Sequence, residues 1–558
     1  MKVLVNPFSL EMKILLLHFT SIFLKFIKSF LSNLTLLFLL FFAFAKGQNA
    51  TNFQNPILQG FNPDPSICRV NNDYYLVTSS FTCYPGIPVY HSKDLVNWEL
   101  IGYGINRAGQ LNFSGLKDKN GVWAVTIRYH KGIFYLVSTC SECGGNFYIT
   151  AEDPAGPWSD PVWLKDAPGI DGSLFWDEND RCYYTGNNWE ITKSWPGQCA
   201  IWGQELDLKQ GKLVGERKIL TYGHANNAVA TEAPHIFKIG NDYLLLTAEG
   251  GTDQYHAITV HHSSSVMGNY ISDKINPVLT HRHLGQSYPI QAVGHGDLVQ
   301  TQNGEWWSVV LGKRLVDGEV PLGRETFLCK VTFQNRTPIF NPGYGKVLTE
   351  QERPNLPWSP VKPEPARDGF DSAQLSLKWY TIRIPEENFY NITNSKLTLA
   401  IRSYTADSLV NSSMLLQRIR NHHFSATTKL TFKTAKDNEQ AGIILYRTSE
   451  SYYLLAKEKS RIVLIKKSDG KKEIIAEAAY TLPDVYLNVK AQNLNLEFSF
   501  GESPDKMFKI GENPSLVPLC ENQVNRFNGP GLGIYATGNG KSSRSKAIFD
   551  WFEKYSLN

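Results

Sequence analysis

One strand-like segment recurs five times in the N-terminal part of the chain, and this repeat constrains the fold more than any other feature. Each copy combines aromatic and branched residues, as buried strands do, and follows a turn rich in Asn, Asp or Gly. The copies begin roughly 50–60 residues apart, which suits a four-stranded blade. The repeat therefore predicts a five-bladed β-propeller whose repeated strands lie at residues 73–78, 133–138, 181–185, 242–247 and 305–310.

Five side chains precede these strands at almost the same distance. Asp64 lies 10 residues before the first aromatic of its copy, and Trp123, Asp171, Glu232 and His295 each lie 11 residues before the corresponding position. Equivalent positions of propeller blades form a ring around the axis, so we expect these residues to converge on one funnel. Buried charge is costly unless it has a task or a partner, which makes the ring a candidate functional site.

Three carboxylates in one pocket are suited to hydrolysis of a glycosidic bond. One carboxylic acid protonates the leaving oxygen, one carboxylate activates water, and a third raises the pKa of the acid by like-charge repulsion. Glu232 is the better candidate for the acid, because glutamate has a pKa of about 4.3 against about 3.9 for aspartate. A plain turn role for Asp64 or Asp171 is the alternative, and their equivalent positions in the repeat argue against it.

The composition excludes several other classes of protein. The 558 residues are 42% hydrophobic and 12% aromatic, which is enough for a packed core and excludes a disordered polymer. Lys and Arg total 56 against 52 Asp and Glu, without a basic stripe, so nucleic acid is not an expected partner. The many Gly and aromatic residues indicate strands and turns rather than a helical bundle.

Residues 1–48 are predicted to be a secretory signal segment. Lys25 and Lys28 precede an apolar run at 34–45, whose end has the small-x-small pattern of a cleavage site. Retention as a membrane anchor is the alternative, because a second apolar run at 14–24 lengthens the segment. No later segment is apolar enough to span a bilayer, so we expect the mature chain to be secreted and extracellular, without a membrane partner.

Sequons and cysteines are consistent with that compartment. The eight cysteines are an even number, as oxidising compartments favour. Local bridges between Cys68 and Cys83, or Cys182 and Cys199, are open options, since pairing cannot be read from a sequence. The remaining CxxC motif, at 140–143, has no second pair, so zinc is not expected. The Asn-x-Ser/Thr sequons lie at Asn49, Asn112, Asn335, Asn391 and Asn411.

Six motifs of the chain resemble those of glycoside hydrolase family 43. The resemblance runs from about residue 54 to the C-terminus. Within the family, the chain resembles the subgroup of β-xylosidases that carry a fused β-sandwich, some of which also cleave α-L-arabinofuranosides. The motifs lie at residues 62–67, 121–124, 169–173, 231–235, 294–297 and 322–325.

The resemblance implies an inverting mechanism. Asp64 would be the general base, Glu232 the general acid, and Asp171 would orient and tune Glu232. Inversion needs room for a water molecule between base and acid. Arg324 resembles the family arginine that binds sugar hydroxyls, with a structural ion pair to Glu325 or another acid as the alternative. No cofactor is required.

Further substrate-binding residues follow from the same resemblance. Trp123 and Phe81 match an aromatic wall for the non-reducing-end sugar, and Thr252 is a weaker match. His295 resembles a family histidine at the pocket floor, although a lone histidine is more often a satisfied core residue. Some relatives hold a cation or a water cluster in that region, which leaves a structural Ca²⁺ near His295 open.

A second domain is predicted after a proline-rich linker. Five prolines at 351–366 indicate a stiff, extended connection between the propeller at 49–350 and a lectin-like β-sandwich at 367–558. The resemblance suggests that the sandwich closes one side of the active site, which would make the enzyme exo-acting.

Two positions depart from the family pattern. Gly531 stands where many relatives have an aromatic residue, so we expect either that Phe527 contributes instead or that the pocket is wider. Ile170 also stands where several xylosidases have an aromatic residue. Both departures bear on the sugar that is bound more than on the mechanism.

Together these features predict a secreted, exo-acting β-1,4-xylosidase that releases xylose from the non-reducing ends of hemicellulose oligosaccharides. An α-L-arabinofuranosidase that trims arabinoxylan or arabinan side chains, or a bifunctional enzyme, is the main alternative. A sugar-binding propeller without activity would lack one or more of the carboxylates. A fructan-acting propeller would retain configuration through a carboxylate nucleophile.

Overall fold

The computed structural model describes residues 51–521 and 527–557, and it is built almost entirely of β-strands. Within these ranges the only helix is one 3-10 turn, Val517–Leu519. No helix in the described part of the chain is long and apolar enough to cross a membrane. The predicted signal segment and the sequon at Asn49 lie outside the described residues.

Five antiparallel sheets form the blades of the predicted propeller, and the repeated segment is the second strand of each blade. The fourth blade has one additional strand, Leu279–Thr280, paired with its third strand. The strands of the first blade are Ser66–Val70, Asp73–Val77, Gly86–Ser92 and Glu99–Ile105, and those of the second are Gly121–His130, Ile133–Ser141, Gly145–Ala151 and Val162–Trp163. The third blade contains Ser173–Trp176, Cys182–Asn188, Ala200–Asp207 and Lys212–Thr221, and the fourth contains Glu232–Ile239, Asp242–Glu249, Ala257–Ser263 and Ile271–Ser272. The fifth blade contains Ile290–Gln300, Trp306–Arg314, Arg324–Gln334 and Thr337–Phe340.

The first strands of neighbouring blades contact one another in a closed ring, which places them around the propeller axis. Apolar side chains from adjacent blades pack between the sheets, for example Leu136 with Ile87 and Val310 with Leu246. Three tryptophans, Trp158, Trp202 and Trp307, are fully buried in this part of the chain. The packing between blades therefore holds the ends of the first strands at one shared site.

A two-sheet β-sandwich follows the propeller, as predicted. Its core lies between the sheets and is lined by residues such as Leu455, Leu487 and Phe549. In order across the sheets, the strands are Ser413–Arg418, Gly531–Thr537, Gln440–Thr448, Ser451–Lys457, Arg461–Ser468 and Lys471–Ala479 in the first, and Tyr390–Ile392, Leu397–Ala400, Lys546–Ser556, His423–Phe432, Asp484–Gln492, Asn495–Ser503 and Lys506–Lys509 in the second, where Arg367–Asp368 also pairs with Lys546–Ser556.

Two short sheets lie outside the blades and the sandwich. Asn52–Gln54 pairs with Glu350–Glu352. Thr381–Ile382, from the sandwich part of the sequence, pairs with Cys83–Tyr84 of the propeller part. This second pairing joins the two folds by backbone hydrogen bonds next to Phe81, one of the predicted sugar-binding residues. The exact domain limits suggested by the proline pattern stay predictions.

The disulfide pairs considered from the sequence are wrong. Cys182 and Cys199 lie near opposite ends of one hairpin, since Tyr183 is opposite Glu205 while Asn188 is opposite Ala200. That separation is far beyond the Cα distance of about 4.4–6.8 Å that a disulfide spans. Cys68 and Cys83 are likewise free, and the bridge that forms joins Cys140 to Cys143 within the CxxC motif.

The sequon at Asn411 serves a structural role. Asn411 is 5% exposed, and its amide nitrogen donates hydrogen bonds to the Thr381 hydroxyl and to the carbonyl oxygens of Ile382 and Arg383. A glycan on that nitrogen would remove these bonds. The sequons at Asn112, Asn335 and Asn391 are exposed.

Candidate active site

The start of the first strand is irregular in every blade, and the predicted ring residues lie at these irregularities. Asp64, Asp171 and His295 have positive φ angles of 53°, 58° and 45°, and Ala233 beside Glu232 has a φ of 49°. Positive φ is uncommon for residues other than glycine. In the second blade a register shift between Val122 and Val125 flanks Trp123 instead. Strain and bulges of this kind are found where side chains are aimed at a functional site.

Asp64 is buried and held by three neighbours. Arg324 donates a hydrogen bond from Nη1 to Oδ1 of Asp64 over 2.7 Å, and the Ser79 hydroxyl donates to Oδ2. The Nδ1 atom of His295 lies 3.9 Å from Oδ1 of Asp64. Burial alone would raise the pKa of Asp64, but the charges of Arg324 and His295 and the Ser79 hydrogen bond outweigh it and lower that pKa. Asp64 is therefore held as a carboxylate.

Glu232 has the opposite electrostatic environment. Burial, followed by the negative charges of Asp171 and Asp64, raises the pKa of Glu232 well above its ordinary value. Burial also raises the pKa of Asp171, with the charge of Asp64 adding to the effect and that of His295 opposing it. The site thus combines one carboxylate whose pKa is lowered with one carboxyl group whose pKa is raised, which is the pairing that general base and general acid catalysis uses.

Arg324 lies between two aromatic rings. Its guanidinium carbon is 5.3 Å from the ring centre of Phe81 and 5.6 Å from that of Phe527. Its Nε atom is buried and has no hydrogen-bond partner among the described residues, which leaves a donor for a sugar hydroxyl. The alternative ion pair with Glu325 does not form, because Glu325 accepts two hydrogen bonds from Arg314.

Phe527 brings the sandwich domain into the site. Its carbonyl oxygen accepts a hydrogen bond from Nη2 of Arg324 over 3.3 Å. The departure at Gly531 does not widen the pocket, because Gly531 belongs to a sandwich strand and packs against Tyr380. A Cβ atom on Gly531 would lie 2.2 Å from the Tyr380 hydroxyl oxygen. The position that interacts with the arginine is Phe527.

Phe81 and Trp123 lie on neighbouring segments. Phe81 and Val122 exchange backbone hydrogen bonds of 2.8 and 3.0 Å, so Trp123 follows directly after the bridge. The indole nitrogen of Trp123 donates to the carbonyl oxygen of Lys119 over 2.9 Å. Trp123 and Phe527 share a cavity of about 660 Å³ with polar groups such as Asn120. The cavity borders the predicted aromatic wall, but none of the three carboxylates lines it.

Thr252 and Ile170 lie at the same ends of their blades as the acids. In the fourth blade Glu232 is opposite Ala248, and Ala248 lies four residues before Thr252. The Thr252 hydroxyl is buried and lacks a hydrogen-bond partner within the described ranges. Ile170 is half-buried, and its backbone nitrogen donates a hydrogen bond to the side-chain oxygen of Asn187 over 2.9 Å.

A second histidine, His256, packs against Gly294, the residue before His295, and was not singled out from the sequence. His256 is buried, with its Nδ1 atom 2.9 Å from the Ala292 carbonyl oxygen, and burial lowers its pKa to about 3. A structural Ca²⁺ near His295 is not supported by the residues present, since no group of three or more His, Cys, Asp or Glu side chains in the described structure is arranged to hold a metal ion.

A polar network below the carboxylates was missed from the sequence. Arg128 forms an ion pair with the fully buried Asp297, with 2.8 Å between Nη1 and Oδ2, and Ser66 donates to the same oxygen over 2.6 Å. Nη2 of Arg128 lies 2.9 Å from Nδ1 of His235, which lies 3.0 Å from the Ser173 hydroxyl. Each of the five blades contributes one side chain to this network, from its first strand. The available signal was spacing, because Ser66, Ser173 and Asp297 each lie two residues after a ring position.

Glycoside hydrolases use a pair of carboxyl groups of this kind, one as base and one as acid. The chain belongs to glycosyl hydrolases family 43, whose family model matches residues 53–338. Residues 367–554 match the beta xylosidase C-terminal concanavalin A-like domain. These matches agree with the family and the accessory domain inferred from the motifs.

The chain is similar to relatives over about 90% of its length. A xylosidase/arabinosidase of Butyrivibrio fibrisolvens is 38% identical over 523 residues, which are 89% of this chain and 98% of that protein. A non-reducing end alpha-L-arabinofuranosidase of Bacteroides ovatus is 35% identical over 517 residues, or 90% and 94%. The solved structure of a xylan beta-1,4-xylosidase from Bacillus halodurans C-125 is 32% identical with a TM-score of 0.85, over 90% of this chain and all of that one.

Proposed function

We propose that the protein is a secreted, inverting, exo-acting β-1,4-xylosidase. The observation that supports its mechanism best is the opposed effect of the site on two carboxyl groups, which lowers the pKa of Asp64 and raises that of Glu232. At neutral pH the first is ready to accept a proton and the second to donate one. Groups whose environments separate their pKa values in this way identify the base and the acid of a hydrolase.

In the proposed reaction Asp64 accepts a proton from a water molecule as the water oxygen forms a bond to the anomeric carbon. Glu232 donates its proton to the glycosidic oxygen as the bond between that oxygen and the anomeric carbon breaks. The released sugar then carries a hydroxyl on the face opposite to the bond that was lost. Exchange with water returns the proton from Asp64 to the solvent and restores the proton of Glu232.

Asp171 and Arg324 support the two steps. The negative charge of Asp171 helps to keep Glu232 protonated until the leaving oxygen needs the proton. Arg324 favours the ionised form of Asp64, and its unpartnered Nε atom is an unused donor next to the proposed base. Phe81, Trp123 and Phe527 would contact the apolar faces of the sugar, and His295 and Thr252 would bind its hydroxyls.

Attack from the non-reducing end is supported by the contact of Phe527 with Arg324, because a loop from the second domain then borders the pocket on one side. Xylose is supported by the solved xylan beta-1,4-xylosidase that the chain resembles. An α-L-arabinofuranosidase, alone or combined with xylosidase activity, is the second candidate. It is supported by the names of the Butyrivibrio and Bacteroides relatives and by Ile170, where several xylosidases have an aromatic residue.

The function is tested by initial rates on xylobiose, 4-nitrophenyl β-xyloside and 4-nitrophenyl α-L-arabinofuranoside. We expect both xylosides to be cleaved with a higher kcat/KM than the arabinofuranoside. The variant Asp64→Ala is expected to lose at least about a thousandfold in kcat on every substrate, since no other group is placed to activate the water. A higher kcat/KM on the arabinofuranoside would favour the second candidate, and substantial turnover by Asp64→Ala would refute the base.

Secretion is part of the same proposal. It is supported by the basic and apolar pattern of residues 1–48 and by the exposed sequons at Asn112, Asn335 and Asn391. Expression of the full chain in a eukaryotic secretory host is expected to yield activity in the medium and a mobility shift after N-glycosidase treatment. Activity that stays in the membrane pellet would instead indicate a retained anchor.

A further inference from the structure

One arginine of the sandwich domain is enclosed by two segments of the propeller. Arg383 is 1% exposed and follows the strand that pairs with Cys83–Tyr84. Its backbone nitrogen donates to the carbonyl oxygen of Thr82 over 2.7 Å. Its guanidinium donates to the carbonyl oxygen of Leu116 and, over 3.2 Å, to Oδ1 of Asp118. A single residue therefore holds the backbone next to Phe81 and the loop that precedes Trp123.

Asp118 is held by the sandwich domain from further directions. The backbone nitrogen and the hydroxyl of Ser449 donate to its Oδ2 atom over 2.9 and 2.6 Å. The Tyr446 hydroxyl donates to Oδ1 over 3.2 Å. The carboxylate belongs to the propeller, whereas every donor named here belongs to the sandwich. Such charge-assisted hydrogen bonds are stronger than neutral ones and fix geometry.

These contacts form a continuous series that includes the two predicted sugar-binding aromatics and leads from Arg383 back to Arg383. Thr82 follows Phe81, and Phe81 exchanges backbone hydrogen bonds with Val122. Trp123 follows Val122 and donates its indole hydrogen to the carbonyl oxygen of Lys119. Lys119 follows Asp118, which returns the series to Arg383. The two aromatic segments are thus joined to each other within the propeller, and each of them is also held by the sandwich domain through Arg383.

We propose that Arg383 and Asp118 form an interdomain clamp that positions Phe81 and Trp123, so that the sandwich domain sets the affinity of the pocket for its sugar. The clamp rests on the proposed function, because the two aromatics matter only if they contact the substrate. Both are positioning residues. The charges that lower the pKa of Asp64 come first from Arg324 and His295, so loosening the clamp leaves the protonation states of the catalytic groups in place.

The test compares Asp118→Asn with the wild type on whichever glycoside the wild type cleaves fastest. Asparagine keeps the shape of the side chain but lacks the charge that Arg383 and Ser449 bind. We expect KM and the inhibition constant of the product sugar to rise about three- to tenfold, the range expected for misplaced aromatic contacts, while kcat changes less than about twofold. The pH profile of kcat/KM is expected to keep both of its limbs.

Asp94→Asn is the matched control. Asp94 is 2% exposed and accepts a hydrogen bond from the backbone nitrogen of Ser359 over 2.9 Å, so it also ties the propeller to a later segment. It lies at the opposite end of the strand Gly86–Ser92 from Phe81. We expect Asp94→Asn to lower the thermal midpoint without raising the inhibition constant of the product.

The proposal is overturned if Asp118→Asn folds with an unchanged inhibition constant, or if kcat falls while the constant stays fixed. If Asp118→Asn does not fold, Tyr446→Phe removes one donor to the clamp at smaller cost, and an unchanged inhibition constant in that variant contradicts the proposal. Failure of the proposed xylosidase function is distinguishable, because it would appear in the wild type as a preference for the arabinofuranoside. The clamp predicts the same rise in the inhibition constant for that sugar.

Discussion

Arg324 and Asp64 form a buried ion pair, with 2.7 Å between Nη1 and Oδ1, although they lie 260 positions apart in the sequence. The pair joins the fifth blade to the turn before the first. It counteracts the cost of burying Asp64, and the same arginine is held between Phe81 and Phe527. One side chain therefore links the proposed base, the sugar wall and the sandwich loop.

Replacement of Arg324 by methionine is expected to move the pH profile. Loss of the positive charge raises the pKa of Asp64, because the carboxylate loses its stabilising partner while burial continues to disfavour it. The acidic limb of kcat/KM should move up by about one pH unit or more. Arg324→Lys keeps a charge and should shift the limb less. If the acidic limb does not move in Arg324→Met, the limb does not arise from the titration of Asp64.

Replacement of Glu232 by glutamine is expected to depend on the leaving group. The second xylose of xylobiose is a poorly acidic alcohol and needs a proton to leave, whereas 4-nitrophenolate leaves from the aryl xyloside without one. We expect kcat on xylobiose to fall about 10²- to 10⁴-fold and that on 4-nitrophenyl β-xyloside to fall much less. Initial rates on both substrates measure the difference, and equal losses would argue against an acid role for Glu232.

Replacement of Asp171 by asparagine is expected to shift the basic limb downward. The charge of Asp171 raises the pKa of Glu232, so a neutral side chain of the same shape lowers that pKa and releases the catalytic proton at lower pH. Activity should therefore be lost earlier as the pH rises. The measurement is kcat/KM against pH with wild type in the same buffers. A basic limb that moves upward would contradict the proposed role.

Replacement of Arg128 by methionine is expected to destabilise the propeller. Asp297 is fully buried, and removal of its partner leaves an uncompensated charge beneath the active site. Breaking a buried pair in this way costs about 3–5 kcal/mol. Thermal unfolding is the measurement, with Arg336→Met as the control, since Arg336 and Asp242 form an exposed pair. Equal midpoints for the two variants would show that the axis network contributes little.

Much of the fold was predictable because the repeat carries the architecture. The copies at 73–78 and 242–247 became second strands of blades, and a fixed offset from them located Asp64 and Glu232. Offsets of 10 or 11 residues work here because a blade is a short unit whose first two strands are neighbours in sequence and pair with each other. The lectin-like sandwich was predictable from the alternation of apolar strands and polar turns.

Contacts between distant segments were not predictable in the same way. Phe527 meets Arg324 across 203 positions, and Gly531 turned out to pack against Tyr380 rather than to border the pocket. The axis pair of Arg128 and Asp297 involves residues that look ordinary in sequence. Periodicity reports which face of a strand is buried, but it does not report which partner a buried charge meets in another blade or domain.

The cysteines show the same limit. An even number of cysteines suggested several bridges, whereas six of the eight are free. The register of a hairpin determines whether two of its cysteines can form a disulfide, since cysteines on adjacent strands bridge only if they lie opposite each other. The sequence order of Cys182 and Cys199 is compatible with a local loop, and the hairpin register separates them.

In the proposed mechanism Asp64 activates water while Glu232 protonates the leaving oxygen, with inversion at the anomeric carbon. The first measurement to make is a proton NMR time course on xylobiose. The leaving xylose enters solution as the mixture of anomers already present at the reducing end, so the newly formed anomer is seen as an excess over that mixture before the two forms interconvert. We expect an early excess of α-xylose. An early excess of β-xylose would mean retention of configuration and would contradict the proposed roles of both residues.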